Sequence, residues 1–129
     1  MQFIGNYENG KRHGEGRLIW ADGQKYLGYF ENDKKSGAGT LTYPSGEKYI
    51  GAFKNDIFCG QGEHTFADGR SYIGFFLDGV KWGPGVYKWP DGREYSGDFE
   101  KDKCQGAGRL TRLNGEIYEG EFSDDKFNG

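Results

Sequence analysis

Apolar and polar residues alternate along this chain with a period of two, in short runs separated by glycine-bearing turns. Tyr26, Gly28 and Phe30 share one face of a strand, and Gly14, Gly16, Leu18 and Trp20 share one face of the strand before it. Alternation by two argues for strands and against amphipathic helices. The pattern also recurs. Aromatic-x-Gly-x-aromatic stands at Phe3/Gly5/Tyr7, Tyr26/Gly28/Phe30, Tyr49/Gly51/Phe53, Tyr72/Gly74/Phe76, Tyr95/Gly97/Phe99 and Tyr118/Gly120/Phe122, always 23 residues apart. A Gly-x-Gly pair follows in phase at Gly14/Gly16, Gly37/Gly39, Gly60/Gly62, Gly83/Gly85 and Gly106/Gly108, and Gly129 would open another. Asp22-Gly23, Ser45-Gly46, Asp68-Gly69, Asp91-Gly92 and Asn114-Gly115 close the units.

Turn chemistry sets an expected register. A three-residue loop at Ala21 to Gly23 pairs Trp20 with Gln24, which places Leu18 opposite Tyr26, Gly16 opposite Gly28 and Gly14 opposite Phe30. A two-residue turn such as Asp33-Lys34 places Tyr26 opposite Leu41, Gly28 opposite Gly39 and Phe30 opposite Gly37. The predicted fold is all-β: an elongated single-layer antiparallel meander of consecutive β-hairpins, with 23-residue repeats starting at residues 3, 26, 49, 72, 95 and 118. Five repeats are full and the sixth is partial, in one domain over residues 1–129. About eleven strands at about 4.8 Å each would span about 50 Å. One face would carry a glycine lane between aromatic rows, with stability built repeat by repeat.

Composition sharpens this picture. Only 34% of residues are hydrophobic, too few for an ordinary layered enzyme core, yet nine tyrosines, ten phenylalanines and three tryptophans exclude disorder. The lattices absorb the glycines, and no Gly-x-Gly continues to a third glycine at dinucleotide-binding spacing. A net charge of −3 weakens any nucleic-acid reading. Cys59 and Cys104 fall almost two repeats apart, beyond disulfide reach. Met1 to Gly16 lacks the apolar core of a signal peptide, so the expectation is a cytoplasmic protein, peripheral at a membrane or the cytoskeleton. Because the chain stops midway through a repeat, a fragment of a longer protein is a further expectation.

These motifs resemble the MORN (membrane occupation and recognition nexus) repeat family, whose unit reads Tyr-x-Gly-x-Phe/Trp, turn, Gly-x-Gly, aromatic, Asp-Gly. The resemblance covers residues 3–129 and implies a single-layer sheet of hairpins with no catalytic activity and no cofactor. It implies scaffolding: members bind partner peptides, dimerise, or precede separate enzyme domains, and lipid binding has been proposed for them. The chain also resembles choline-binding hairpin modules, but its three tryptophans do not form the cages those modules need.

Four candidate surfaces follow. On the face away from the glycines, the fourth hairpin is expected to pair Ile73 with Val86, Phe75 with Pro84 and Leu77 with Trp82, an apolar patch extended by Phe58 and suited to a protein partner. Tyr49, Phe53, Tyr72, Phe76 and Tyr87 are expected to wall a peptide groove over bare glycine backbone. Lys11, Arg12, Lys34, Lys35, Lys81 and Lys103 could form a basic edge for anionic phospholipid, although Asp33, Asp56, Asp102, Asp124 and Asp125 largely cancel its field. The sheet-end strands at Phe3 to Glu8 and Tyr118 to Ser123 are expected sites of self-association into a homodimer. His13 and His64 lie in different repeats, no cysteine or histidine cluster has metal spacing, and catalysis has little to stand on. The functional expectation is a non-catalytic scaffold or adaptor.

Overall fold

A computed structural model describes residues 1–123 and 126–128, with side chains described through Ser123. Asp124, Asp125, Gly129 and the Phe127 side chain lie outside the described residues. Among the described residues, twelve strands follow one another in a single antiparallel sheet, in sequence order. They are β1 (Gln2–Glu8), β2 (Lys11–Ile19), β3 (Lys25–Glu31), β4 (Lys34–Thr42), β5 (Lys48–Lys54), β6 (Ile57–Thr65), β7 (Ser71–Leu77), β8 (Val80–Lys88), β9 (Glu94–Glu100), β10 (Lys103–Thr111), β11 (Ile117–Ser123) and β12 (Lys126–Asn128). The short β12 is the strand beyond the expected eleven.

Two turn types alternate. After β2, the Trp20 N–H donates to the Gln24 carbonyl at 2.9 Å, and the Gly23 N–H donates to the Trp20 carbonyl at 3.0 Å. The Asp22 carboxylate caps the loop by accepting from the Gln24 N–H at 3.0 Å. The resulting register, with Leu18 opposite Tyr26, Gly16 opposite Gly28 and Gly14 opposite Phe30, is the expected one.

The other turn differs. It falls at Asn32-Asp33, with φ of 50° and 70°, the paired left-handed conformation that matches the twist of a two-residue hairpin. Asparagine and aspartate tolerate that region, so the turn sits one residue earlier than Asp33-Lys34. Gly28 still faces Gly39, but Phe30 now pairs with Lys35, where the sequence reading put Gly37. The surplus residues form a bulge at the first glycine of each Gly-x-Gly, as at Gly37 with φ of 63°. Only the second glycine belongs to the lane. The tip residues Arg12, Lys35, Phe58, Lys81 and Cys104 thereby stand opposite Tyr7, Phe30, Phe53, Phe76 and Phe99, on the aromatic face.

The core lies within this one layer. Tyr26, Tyr49, Tyr72 and Tyr95 are completely buried. Each tyrosine ring leans over the glycines of its own and the next strand, and its hydroxyl donates to the carbonyl three residues on, as from Tyr72 to Phe75 at 2.9 Å. A methyl at Gly39 would overlap the Tyr26 ring, which is why glycine is needed there. Each tyrosine also meets two phenylalanines edge-on: Tyr49 is 5.0 Å from Phe53 in its own repeat and 5.4 Å from Phe76 in the next. Such pairs contribute about 1 kcal/mol each beyond area burial, and here they couple neighbouring repeats.

Candidate functional site

Above the tyrosine layer runs a row of covering side chains. The Arg12 guanidinium lies 5.4 Å from the Phe30 ring centre, the Lys35 ammonium 5.3 Å from Trp20, and the Lys81 ammonium 5.6 Å from Tyr87. Each cation is tied to the next repeat's turn. The Lys81 N–H donates to the Asp102 carboxylate at 2.7 Å, the Asp102 N–H donates back to the Lys81 carbonyl at 3.0 Å, and the ammonium reaches the same carboxylate at 3.1 Å. Arg12 with Asp33 and Lys35 with Asp56 do the same. The Arg12 N–H and guanidinium hold the Asp33 carboxyl below the usual carboxylate range.

The third repeat replaces both partners. Phe58 stacks on Tyr49 with ring centres 3.7 Å apart, and the turn residue of the next repeat is Gly79, whose N–H still donates to the Phe58 carbonyl at 3.0 Å. Phe58 therefore belongs to the aromatic face and not to the back-face patch. The displaced turn register moved it.

The expected groove is filled. Tyr49, Phe53, Tyr72, Phe76 and Tyr87 are buried in the tyrosine layer, and the rings occupy the space over the glycines that a peptide backbone was expected to enter. A partner would meet the layer above them: the covering residues and the outer row Trp20, Tyr43, Phe66 and Trp89, all partly buried.

The basic edge divides. The Lys35 and Lys81 side chains are only 14% exposed, and Arg12 is similarly turned in, each with an aspartate partner. Lys11, Lys34 and Lys103 are exposed on the other face, opposite Glu8, Glu31 and Glu100. No continuous row of six cations results.

On the back face Ile73 pairs with Val86 as expected, but Leu77 pairs with Val80, and Phe75 faces the bulge instead of pairing with Pro84. Ile73, Phe75 and Leu77 are exposed by 43%, 41% and 41%. Trp82, expected opposite Leu77, is half-buried, at the repeat position of His13, whose ring lies 6.2 Å from the outward-facing Tyr29. The patch exists, with Glu63 set between Ile50 and Ile73.

In the fifth repeat the covering position is held by Cys104, which is half-buried. An open cavity of about 450 Å³ lies beside it, its lining including Arg70, Lys81, Trp89, Arg93, Asp102 and Leu110. Arg70 and Arg93 lie 5.0 Å over the Phe66 and Trp89 rings. Their Nε groups donate to the turn carboxylates of Asp68 at 2.7 Å and Asp91 at 2.9 Å, and Arg70 Nη1 reaches the Tyr87 hydroxyl at 3.1 Å. The sequence reading missed this place. Its signal was the residue after each three-residue turn, which runs Gln24, Glu47, Arg70, Arg93, Glu116.

Burial pushes the phenols of Tyr26, Tyr49 and Tyr72 up to about 12, as expected of hydroxyls inside the layer. His64 stacks on Phe66 at 4.3 Å. Its Nε2 is buried without a hydrogen bond, 3.5 Å from the Glu47 carboxylate, and burial holds its pKa below the ordinary value despite that neighbour. Neither cysteine is in a disulfide. Among the described residues no group of three or more His, Cys, Asp or Glu could hold a metal ion.

The family model for the MORN repeat matches residues 3–25, 26–48, 49–69, 72–92, 95–117 and 118–129. Compared with curated proteins, the chain matches none closely enough to indicate a relative.

Proposed function

The chain belongs to the MORN repeat family, and from that premise we propose that it is a protein-interaction scaffold that holds a partner segment against its aromatic face at the fourth and fifth repeats. MORN repeats are known in protein–protein and lipid-binding contexts, and their all-β scaffold is a non-catalytic kind of fold. The observation that carries the reading is an open cavity of about 450 Å³ whose lining brings Trp89 and Leu110 together with Arg70, Lys81 and Arg93. Binding pockets commonly combine an apolar body with a few fixed polar groups in this way.

The exposed Ile73, Phe75 and Leu77 favour a second reading, a contact through the back face. Anionic phospholipid is supported less, since Arg12, Lys35 and Lys81 are neutralised and turned inward. Random-peptide display against the full chain tests the main reading. Enriched peptides should lose binding to Trp89→Ala and keep it with Phe75→Glu. No enrichment, or the opposite dependence, overturns it.

A further inference from the structure

Among the described residues no second layer packs on the back face of the sheet, yet between β3 and β8 that face is apolar. The two positions that read Ile73 and Phe75 in the fourth repeat read Leu27 and Tyr29 in the second, but Ser96 and Asp98 in the fifth. Beyond them the face is charged, and Arg109 pairs with Glu119 at 3.6 Å. The apolar stretch is a local departure from the repeat, and the tyrosine core on the opposite face does not require it.

Its size fits a contact between two sheets. Leu27, Tyr29, Ile50, Ile73, Phe75 and Leu77 are all exposed. At about 200 Å² for a whole side chain of this kind, they leave about 500 Å² of apolar surface in water, near the upper end for a patch on a monomer. With the intervening Ala52, Pro84 and Val86, a flat partner would cover about 800 Å² on each side, which is what a stable interface buries. That partner must bring backbone groups already paired, because the ladders of this sheet leave none for its face. A second sheet does so, packing at about 10 Å.

Charge selects which sheet. Glu63 is the carboxylate inside the stretch, set between Ile50 and Ile73, and Gln61 lies beside it on β6, opposite Phe75. Both side chains are exposed, and among the described residues neither has a hydrogen bond or ion pair. A foreign apolar surface would bury the Glu63 carboxylate unpaired, which is costly. A second copy carries the group that satisfies it. A twofold axis along β6 would set Glu63 against itself, but an axis across the strands, at the level of the aligned Gly51, Gly62, Gly74 and Gly85, does not. It sets each Glu63 carboxylate against the Gln61 amide of the other copy, whose N–H donates to it. The same axis lays Ile73 over Phe75 of the second copy and Val86 over Pro84, with strands antiparallel across the contact.

We propose that the back face packs on the back face of a second copy about this axis, with Glu63 of each chain accepting from Gln61 of the other. This rests on the back-face reading and is independent of the aromatic-face one, since both aromatic faces stay outward.

Sedimentation equilibrium of the full chain between about 1 and about 300 μM tests it, because interfaces of this size reach down to micromolar affinity. The average mass should rise from one chain to two. Phe75→Glu should weaken the association about tenfold or more, and so should Gln61→Glu, which sets carboxylate on carboxylate. Adding Glu63→Gln to Gln61→Glu should restore the original constant, since the pair is then only exchanged. Circular-dichroism melts at the lowest of these concentrations, where the chain is monomeric, check that each variant folds; the exposed Gln61 and Glu63 decide the matter if Phe75→Glu does not. A mass of one chain at every concentration overturns the proposal. So does a dimer indifferent to Phe75→Glu or to Gln61→Glu, or one that Glu63→Gln fails to restore. If the chain stays monomeric while display-selected peptides depend on Phe75, the back face binds another protein and this inference alone fails; if no selected peptide depends on Phe75, the back-face reading fails with it.

Discussion

The Phe58 ring lies parallel to the Tyr49 ring, 3.7 Å away, in the place that Lys35 and Lys81 fill in the repeats on either side. The exchange involves two positions, since the aspartate that would meet a lysine there is Gly79. Phe58→Lys alone should destabilise the chain, by inserting an ammonium with no carboxylate beside a buried phenol. Adding Gly79→Asp should restore part of the loss, with a coupling of about 1 kcal/mol in a urea-denaturation double-mutant cycle. Strict additivity would show that the covering residue and the next turn are independent.

Glycine does two distinct jobs, and they separate by mutation. At Gly39 a methyl meets the Tyr26 ring, whereas at Gly46, with φ of 96°, it meets no atom within 4 Å and only the backbone conformation is strained. Gly39→Ala should cost about 2 kcal/mol or more by overpacking, and Gly46→Ala about 1 kcal/mol. Urea denaturation ranks them. The reverse order would mean that the tyrosine layer is loose enough to admit a methyl.

Adjacent residues on opposite faces should respond differently to the same change. Phe76 is 2% exposed and Phe75 is 41% exposed. Phe76→Glu should abolish the cooperative melt, while Phe75→Glu should shift stability by no more than about 0.5 kcal/mol. A large loss from Phe75→Glu would place the back face in the core.

His64 gives stability a pH dependence of known sign. Its ordinary pKa is 6.5, and burial lowers it in the folded chain, against the opposing pull of Glu47. The unfolded chain therefore takes up the proton first. Stability from this group is complete above 6.5 and is lost as pH falls through the lower folded value. Lys81 acts in the same direction as burial, and Asp102 opposes it. His64→Leu, the residue type of Leu18, Leu41 and Leu110, should flatten the fall in melting temperature between pH 7.5 and about 5. An unchanged slope would assign that fall to other groups.

Much of the fold was legible because period-two alternation and a 23-residue interval constrain faces and neighbours at once. The three-residue turns were legible for the same reason: Asp22-Gly23 names its own geometry. The two-residue turns were misplaced because Asp33-Lys34 looks acceptable from spacing alone, while the twist of a hairpin demands two left-handed residues and Asn32-Asp33 meets that demand better. Asp78-Gly79 carried the stronger form of this signal. The error propagated into the site. It put Phe58 on the wrong face, gave Leu77 the wrong partner and left Arg12, Lys35 and Lys81 on an edge they do not occupy. The cavity was harder to see. Its lining is gathered from several repeats, and that gathering shows in a sequence only once the register is known.

The three tryptophans allow the central claim to be read in one experiment. Trp89 lines the cavity on the aromatic face, Trp82 stands at a back-face position of the fourth hairpin, and Trp20 lies at the far end of the sheet. Indole N–H signals in a proton–nitrogen correlation spectrum should therefore report which face a display-selected peptide occupies. The Trp89 signal should shift saturably, with Trp82 and Trp20 unmoved. A shift of Trp82 with Trp89 unmoved would contradict it and place the partner on the back face.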